Sequence, residues 1–454
     1  MTDPAPALQA PLCFVLMPFG EKRDPVSGVT IDFDKVYDLA VRPAIVEAQM
    51  EPIRADEERT GGIIHQAMFE RLILCEYAVA DLTTANANVF YELGIRHAVR
   101  PATTQPIFAT PPPFDVNLLR GLPYDLGPGG RFTEAEAGPM RAALVARLKE
   151  LRRLQQEDAA CDSPVFSLVE GFRPQELDRS KTDTFRKHAR YEVETKEELA
   201  VARDAGDVAA LDAIRDRLAM DSVGAGVAVD LLLSYRAIEA HERMVELFAD
   251  LPIALRSTAM LREQLAFALN RLGRRDEAER QLLTVLRQHG PSSETNGLLG
   301  RVLKDRWLDE RSRGEAAKAA GLLRRAIDTY VQGYLADIRD AYPGINALTL
   351  LEVEGTEASL AHKSKLQGAV ELALERRLAN VDPDYWDQAT RLELRVLAKD
   401  RHGADEALQS ALATTHEPWQ PKSTAKNLQL IAEAWRDRKV EHRWLDEIVA
   451  ALLG

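Results

Sequence analysis

The chain has 454 residues, 46% of them hydrophobic and 28% charged, with a net charge of -13, which suits two or three domains with ample cores and rules out a disordered acidic tail. Its three cysteines (Cys13, Cys75, Cys161) form no CxxC and no Cys/His cluster, which argues against a disulfide scaffold or a zinc site and for a reducing, cytoplasmic compartment. The acidic balance disfavours general nucleic-acid or anionic-lipid binding, no apolar run approaches the roughly 20 residues that span a bilayer, and the acidic, Pro-rich start is unlike a secretory signal.

The first 155 residues or so alternate short apolar runs with amphipathic stretches, the pattern of βα units around a parallel sheet. Leu12 to Met17 reads as a buried strand ended by Pro18-Phe19-Gly20. Asp32 to Met50 has helical periodicity through Val36, Leu39, Ala40 and Ile45, with Pro43 predicted to kink or split it. A strand near Pro52 to Ala55, a helix from Gly62 to Leu74, a strand Tyr77 to Asp81, a helix Asn88 to Arg100 and a strand Pro106 to Ala109 follow. After a Pro/Gly-rich stretch with a turn at Gly127 to Gly130 comes a charged helix, Thr133 to Gln156. The pattern predicts a small flavodoxin-like α/β domain over residues 1–157.

From Asp162 onward strand signals vanish, and an all-helical second domain is expected over residues 165–454. Leu265, Ala266, Leu269, Gly273, Ala278, Leu282, Val285, Leu286 and Pro291 fall close to tetratricopeptide spacing. A second copy begins at Leu299, Gly300 and Leu303, its second helix displaced by an insertion around Arg306 to Gly314, and Leu394, Ala398, Ala407 and Leu412 outline another. The fold class is therefore α/β plus all-α, a parallel-sheet domain followed by a TPR-like solenoid. Stacked helix pairs present a concave surface suited to a protein partner. Arg271 to Arg275 and Arg436 to Lys439 read as solvated helix faces or ends.

In an open parallel sheet, ligands bind beyond the carboxyl ends of the strands. The residues there are Met17-Pro18-Phe19-Gly20, Ala55-Asp56-Glu57 and the run Ala80 to Gly94, which contains Asp81, Thr83, Asn86, Asn88, Tyr91 and Glu92. The last run places one carboxylate at a strand tip and another in the first turn of the next helix. Carboxylates about 5 Å apart are what retaining glycosyl chemistry requires. The residues also admit plainer readings: Asp81 as a strand-end cap, Asn86 or Asn88 as an N-cap, and Glu92 as an acid favoured by the helix dipole. His65 and His97 lie on predicted helices with no second ligand at metal spacing.

Two resemblances extend this reading. Phe14 to Phe19, Ala80-Asp81-Leu82-Thr83 and Asn86 to Ala98 resemble the nucleoside 2-deoxyribosyltransferase-like domains related to Toll/interleukin-receptor domains. The resemblance implies that Glu92 is the catalytic residue at the sugar and that Asp81 contacts sugar hydroxyls or the leaving base. It also implies that Met17, Pro18, Phe19 and Gly20 form the first ligand-binding loop and that Asn88 stands beside the active carboxylate. Ala87 stands where many relatives have proline. The second run, Asp340-Ala341-Tyr342-Pro343-Gly344-Ile345-Asn346 through Leu351, is similar to the TRAF-binding region of apoptosis-signal-regulating kinases and their bacterial relatives. It implies stress or immune signalling. The chain carries no Gly-rich loop before a strand lysine, no His-Arg-Asp and no Asp-Phe-Gly.

The expectation is a cytoplasmic effector or sensor that cleaves an N-glycosidic bond in NAD or a deoxynucleotide. Glu92 and Asp81 would be catalytic, and Met17 to Gly20, Thr83, Asn86, Asn88 and Tyr91 would bind substrate, with Phe19 or Tyr91 stacking on the base. No cofactor or metal is expected. The partners are a nucleotide, a protein docked on the helical repeats and further copies of the chain. The alternative is a non-catalytic nucleotide-binding scaffold.

Overall fold

The computed structural model describes residues 10–25, 27–54, 65–110, 121–157, 162–170, 172, 191, 194–220, 223–379, 383–414, 417 and 419–454. Ala55-Asp56-Glu57, Cys161 and the start of the helix expected from Gly62 lie outside them. The chain divides into two units, Met1–Ser234 and Tyr235–Gly454. No helix among the described residues is long and apolar enough to cross a membrane.

The first unit is built on strand β1, Leu12–Leu16, all five residues of which are buried. Alternate side chains enter opposite layers, as a strand covered on both faces requires. Cys13 and Val15 join a core with α1 (Phe33–Val36), α2 (Arg42–Glu47) and α5 (Glu134–Gln156), whereas Leu12, Phe14 and Leu16 join one with α3 (His65–Leu74) and α4 (Ala87–Val99). With β4 (Glu51–Arg54), β5 (Tyr77–Asp81), β6 (Thr104–Phe108) and β7 (Leu122–Pro123), the parallel sheet has the order β4-β1-β5-β6-β7. Counted along the sheet strands alone this is 2-1-3-4-5, whose switch point falls between β1 and β5. A hairpin of β2 (Glu21–Arg23) and β3 (Thr30–Asp32) precedes α1. Neither this hairpin nor β7 is announced by the sequence pattern, being too short for a period-two signal.

Pro43 acts as its chemistry demands. Between α1 and α2 the helix widens to a π turn, Tyr37–Val41, where the N–H of Arg42 reaches the carbonyl of Tyr37. The extra residue accommodates a proline that has no N–H to give. Arg96, on α4, is fully buried. Its guanidinium donates to the carbonyls of Leu72 (2.8 Å), Cys75 (2.7 Å) and Glu76 (3.0 Å) and to the hydroxyls of Thr103 and Thr104. Arg100 serves the carbonyls of Ile73 and Leu74. Two arginines one turn apart thus satisfy the carboxyl end of α3, which would otherwise leave carbonyls unpaired.

The helical part is organised by one repeated turn. After α6 (Pro164–Leu168), α7 (194–204) and α8 (Val208–Arg217) come α9 (Ala225–Ala237), α10 (His241–Asp250), α11 (Ile253–Arg256), α12 (Ala259–Arg271), α13 (Arg275–His289), α14 (Ser293–Ser312) and α15 (Ala316–Ala336). These are followed by α16 (Ala341–Glu354), α17 (Glu357–Leu378), α18 (Tyr385–Leu397), α19 (Arg401–Ala413), α20 (Trp419–Asp437) and α21 (Arg443–Leu453). A left-handed residue closes a helix at positions 206, 239, 273, 314, 355, 399 and 439, so successive turns stand 33, 34, 41, 41, 44 and 40 residues apart. At six of them the next N–H bonds the carbonyl five residues back, as in Arg274 to Leu269 and Asp400 to Arg395, the closure of a Schellman cap. The first two spacings match the tetratricopeptide period of 34. The longer ones add about two helical turns, which returns the apolar face to the same side. The stretch Arg306 to Gly314 is therefore mostly not an inserted loop: it forms the last turns of α14, a 20-residue helix paired with the 21 residues of α15.

The Tyr-Pro-Gly-Ile-Asn run opens α16. Asp340 caps it, its Oδ1 accepting from the Tyr342 N–H at 3.0 Å, and Pro343 stands in the first turn, where no N–H is needed. A methyl on Gly344 would lie 2.6 Å from Val370 Cγ2 and 2.9 Å from Tyr334 Cδ2, and one on Gly300 2.7 Å from the Tyr330 ring. These glycines let the backbones of neighbouring helices approach.

Two buried polar clusters tie the pairs together. Glu352 of α16 is 2% exposed and accepts from Lys363 Nζ (2.6 Å, α17), Trp435 Nε1 (2.7 Å, α20) and Arg438 Nη2 (2.5 Å). Burial pushes its pKa upward, but these three donors outweigh burial and hold it below the usual range. Arg438 is thus engaged with a buried acid, which corrects the solvated reading of Arg436 to Lys439. In the second cluster Lys304 (α14) donates to Asn427 Oδ1 at 2.6 Å, and Glu393 (α18) accepts from Asn427 Nδ2 (3.2 Å) and the Thr349 hydroxyl (3.3 Å). Glu352→Ala leaves two cations and an indole N–H without their acceptor and is expected to lower the unfolding free energy of the second unit by about 3–5 kcal/mol. All five tryptophans lie in that unit, so urea titration followed by tryptophan fluorescence measures it. Pairing the change with Trp435→Phe should cost less than the sum of the two.

Candidate functional site

Pairing of Leu16 with Ala80 sets Met17 beside Asp81 at the carboxyl edge of the sheet. The first loop is braced from β4. Arg54 Nη2 donates to the Pro18 carbonyl at 2.8 Å and pairs with Asp34 Oδ1 at 2.8 Å, while its guanidinium lies 4.1 Å from the centre of the Phe19 ring and 4.7 Å from that of Tyr37. Phe19 therefore already carries a planar cation on its face. Gly20 (φ +61°) turns the chain so that its N–H donates to Asp34 Oδ1 and its carbonyl accepts from the Phe33 N–H. Met17 and Pro18 are buried.

Asp81 is 1% exposed, and both its oxygens are engaged. Oδ1 accepts from the Thr83 N–H (3.0 Å) and the Thr83 hydroxyl (2.5 Å), and Oδ2 accepts from the Tyr124 hydroxyl (2.9 Å). The Thr83 and Tyr124 oxygens also approach each other at 2.9 Å, and Thr83 Oγ1 accepts from the Ala109 N–H. Burial pushes the Asp81 carboxyl up to about 6, against the hydrogen bonds from Thr83 and Tyr124, which favour its ionised form. Tyr124 follows β7, and its own N–H bonds the Phe108 carbonyl. The cluster so fastens β5 to the far edge of the sheet.

Asn86 is the N-cap of α4, accepting from the N–H groups of Asn88 (2.9 Å) and Val89 (3.3 Å). With the cap at Asn86, Glu92 falls in the second turn of the helix, which corrects its expected place in the first. Glu92 is partly buried, makes no hydrogen bond to the described residues, and is pushed up to about 7 by burial. Asn88 and Tyr91 are exposed, Tyr91 at 57%. His97 is buried and pushed down to about 4, chiefly by burial, which keeps its imidazole neutral at pH 7. Tyr124 and Arg54 are the participants that sequence spacing does not reveal, because each joins the site from another strand.

Asp81 makes the stability of the first unit depend on pH. Its folded pKa is raised, so the stability it contributes is complete below the unfolded value near 4 and is lost as pH rises through about 6. Asp81→Asn reproduces the protonated form, with Nδ2 in place of the acid proton. From pH 4 to pH 8 its stability relative to the parent should improve by up to about 3 kcal/mol in denaturation curves. A difference that does not change with pH would refute the assignment.

Comparison with known proteins places the longer part of the chain. The model of the MAP3K TRAFs-binding domain matches residues 89–450. Mitogen-activated protein kinase kinase kinase 15 of Mus musculus is 28% identical over 267 residues, covering 54% of this chain and 20% of the relative. Mitogen-activated protein kinase kinase kinase nsy-1 of Caenorhabditis elegans is 31% identical over 241 residues, covering 49% and 16%. The chain thus spans a fifth or less of the length of these relatives. A thermophilic TPR protein of Thermus thermophilus aligns in structure with a TM-score of 0.34 and 16% identity, over 45% of this chain and 99% of that one. With most of its length matched by the family model, this chain belongs to the MAP3K TRAFs-binding domain family.

Proposed function

We propose that this protein is a cytoplasmic signalling protein whose helical region, residues 165–454, docks a protein partner, and whose α/β region, residues 1–157, presents a nucleotide-binding crevice. The family match across residues 89–450 carries the first half, and the family description points to partners of the TRAF kind. The regular succession of helix-pair turns from 206 to 439 supports it, since stacked pairs present broad surfaces to other proteins. Nucleotide occupancy is transmitted through association of copies. Cross-linking in the source cells followed by mass spectrometry tests the docking reading. Partner cross-links are expected on lysines such as Lys318, Lys365, Lys422 and Lys426, and cross-links confined to Lys22, Lys35 and Lys149 would overturn it.

A second reading, cleavage of an N-glycosidic bond in NAD or a deoxynucleotide, is favoured by one observation. Glu92 is a carboxylate partly withdrawn from water, raised to about 7, in the helix that leaves the switch-point strand β5. Such a group suits attack on, or stabilisation of, a developing oxocarbenium. In this reading Asp81, held by Thr83 and Tyr124, positions the crevice, and the loop Met17 to Gly20 with Asn88 and Tyr91 meets the substrate. The acting form of Glu92 is ionised, so base release should climb between pH 6 and pH 8 with a midpoint near 7. Glu92→Gln should reduce it by about 100-fold or more. Chromatography after incubation with NAD and deoxynucleotides provides the measurement; no free base, or full activity in the variant, leaves the scaffold reading alone.

A further inference from the structure

A cleft of about 710 Å³ opens within the second unit, lined from the last turns of α9 and α12 and from α14, α16, α17, α18 and α20. Its lining combines Arg236, Arg271 and Arg301 with the aromatic residues Tyr342, Trp386 and Trp419.

The charges in this cleft are unevenly satisfied. Arg339 is held by Asp337 through two hydrogen bonds of 2.8 Å, and Arg377 is held by Asp387 and Asp384. Asp340 caps α16 and accepts from Ser293, and Glu393 accepts from Asn427 and Thr349. The acids of the cleft are thus committed. Among the described residues Arg236 and Arg271 are not matched in this way: their guanidinium groups lie 4.3 and 5.2 Å from the centre of one ring, Phe267, and Arg236 bonds the neutral Gln264 Oε1. Glu294 is within electrostatic range of Arg236 but forms no ion pair with either arginine. Arg301 forms an ion pair with Asp305, its Nε donating to both carboxylate oxygens. The contrast with the next turn is sharp, for Arg274 pairs with Glu277 and Arg275 with Asp309. Two like charges sharing a ring in a chain of net charge -13 define a place where an external anion is favoured.

The aromatic lining adds an apolar requirement. Tyr342, Trp386 and Trp419 are 47%, 41% and 48% exposed, and the Trp386 and Trp419 rings lie 5.7 Å apart. Half-exposed Trp and Tyr beside Arg is the composition of interface hot spots, and a small anion would leave these rings in water.

We propose that this cleft is the docking site for an acidic peptide segment of a partner protein, whose carboxylates meet Arg236, Arg271 and Arg301 and whose aromatic or aliphatic side chain packs on Trp386 and Trp419. The proposal rests on the docking reading of the helical region and specifies where and by what chemistry docking occurs.

The test uses the full chain and fluorescein-labelled ten-residue peptides with Asp and Glu around a central Trp, Phe or Leu, alongside Lys-substituted counterparts and ATP. Fluorescence anisotropy should show saturable binding of the acidic set, weakening with salt, and none of the basic set. Arg236→Glu with Arg271→Glu should weaken binding at least about ten-fold and Trp386→Ala by a similar factor, while Arg271→Lys retains most of it. Circular dichroism and thermal melting confirm that the variants are folded. Equal binding of acidic and basic peptides, binding of ATP without peptide, binding of no peptide, or undiminished binding by the folded variants each overturns the proposal. A cellular partner that still cross-links to residues 235–454 of the double variant sinks this site but spares the docking reading. Cross-links confined to residues 1–157 sink that reading itself.

Discussion

Three donors, one from α17 and two from the end of α20, converge on the carboxylate of Glu352, and that convergence constrains α16, α17 and α20 at once. Apolar contact alone would let helix pairs slide along one another, since a Leu or Ala surface is nearly uniform over a turn. A buried ion with three directed bonds does not tolerate such a shift. Lys304, Asn427, Glu393 and Thr349 impose the same restriction across α14, α16, α18 and α20. The cleft walls inherit their geometry from these anchors: Glu393 and Asn427 lie at once in the second cluster and on the cleft surface.

Three carboxylates illustrate how environment assigns different work to one functional group. Glu352 is buried among cations and stays ionised. Asp81 is buried among hydroxyls, which bond it without neutralising it, and its proton is retained to about pH 6. Glu92 is partly buried with no bonding partner among the described residues and is raised furthest, to about 7. Desolvation acts on all three, and the charge and number of the donors decide the outcome. Asp81 is committed to Thr83 and Tyr124 at the sheet edge, whereas Glu92, in the second turn of α4, has no such donor among the described residues.

Much of the architecture is legible in the sequence. Tyr77 to Asp81, the helix ending near Leu74 and the helix starting after Thr133 stand where hydrophobic period and capping chemistry put them. Pro43 announces a helical defect, and the structure resolves it as a π turn. The helix pairs are harder to read, because the tetratricopeptide period holds only from 206 to 273 and lengthens beyond it. Glu239, Lys399 and Lys439 take the same left-handed conformation without a glycine to mark it, and the longer spacings hide the repeat from a search at 34 residues.

Local chemistry by itself determined the longer strands of the parallel sheet and the helical character of the rest of the chain, because period, caps and short motifs depend only on near neighbours in the chain. Tertiary structure alone decided which oxygens surround Asp81, that Phe19 lies against Arg54, that Arg438 reaches Glu352, and that arginines from three helical segments line one cleft with Trp386 and Trp419. Each of these joins residues tens of positions apart, and desolvation and pairing of charge depend on what is near in space rather than on what is near in sequence.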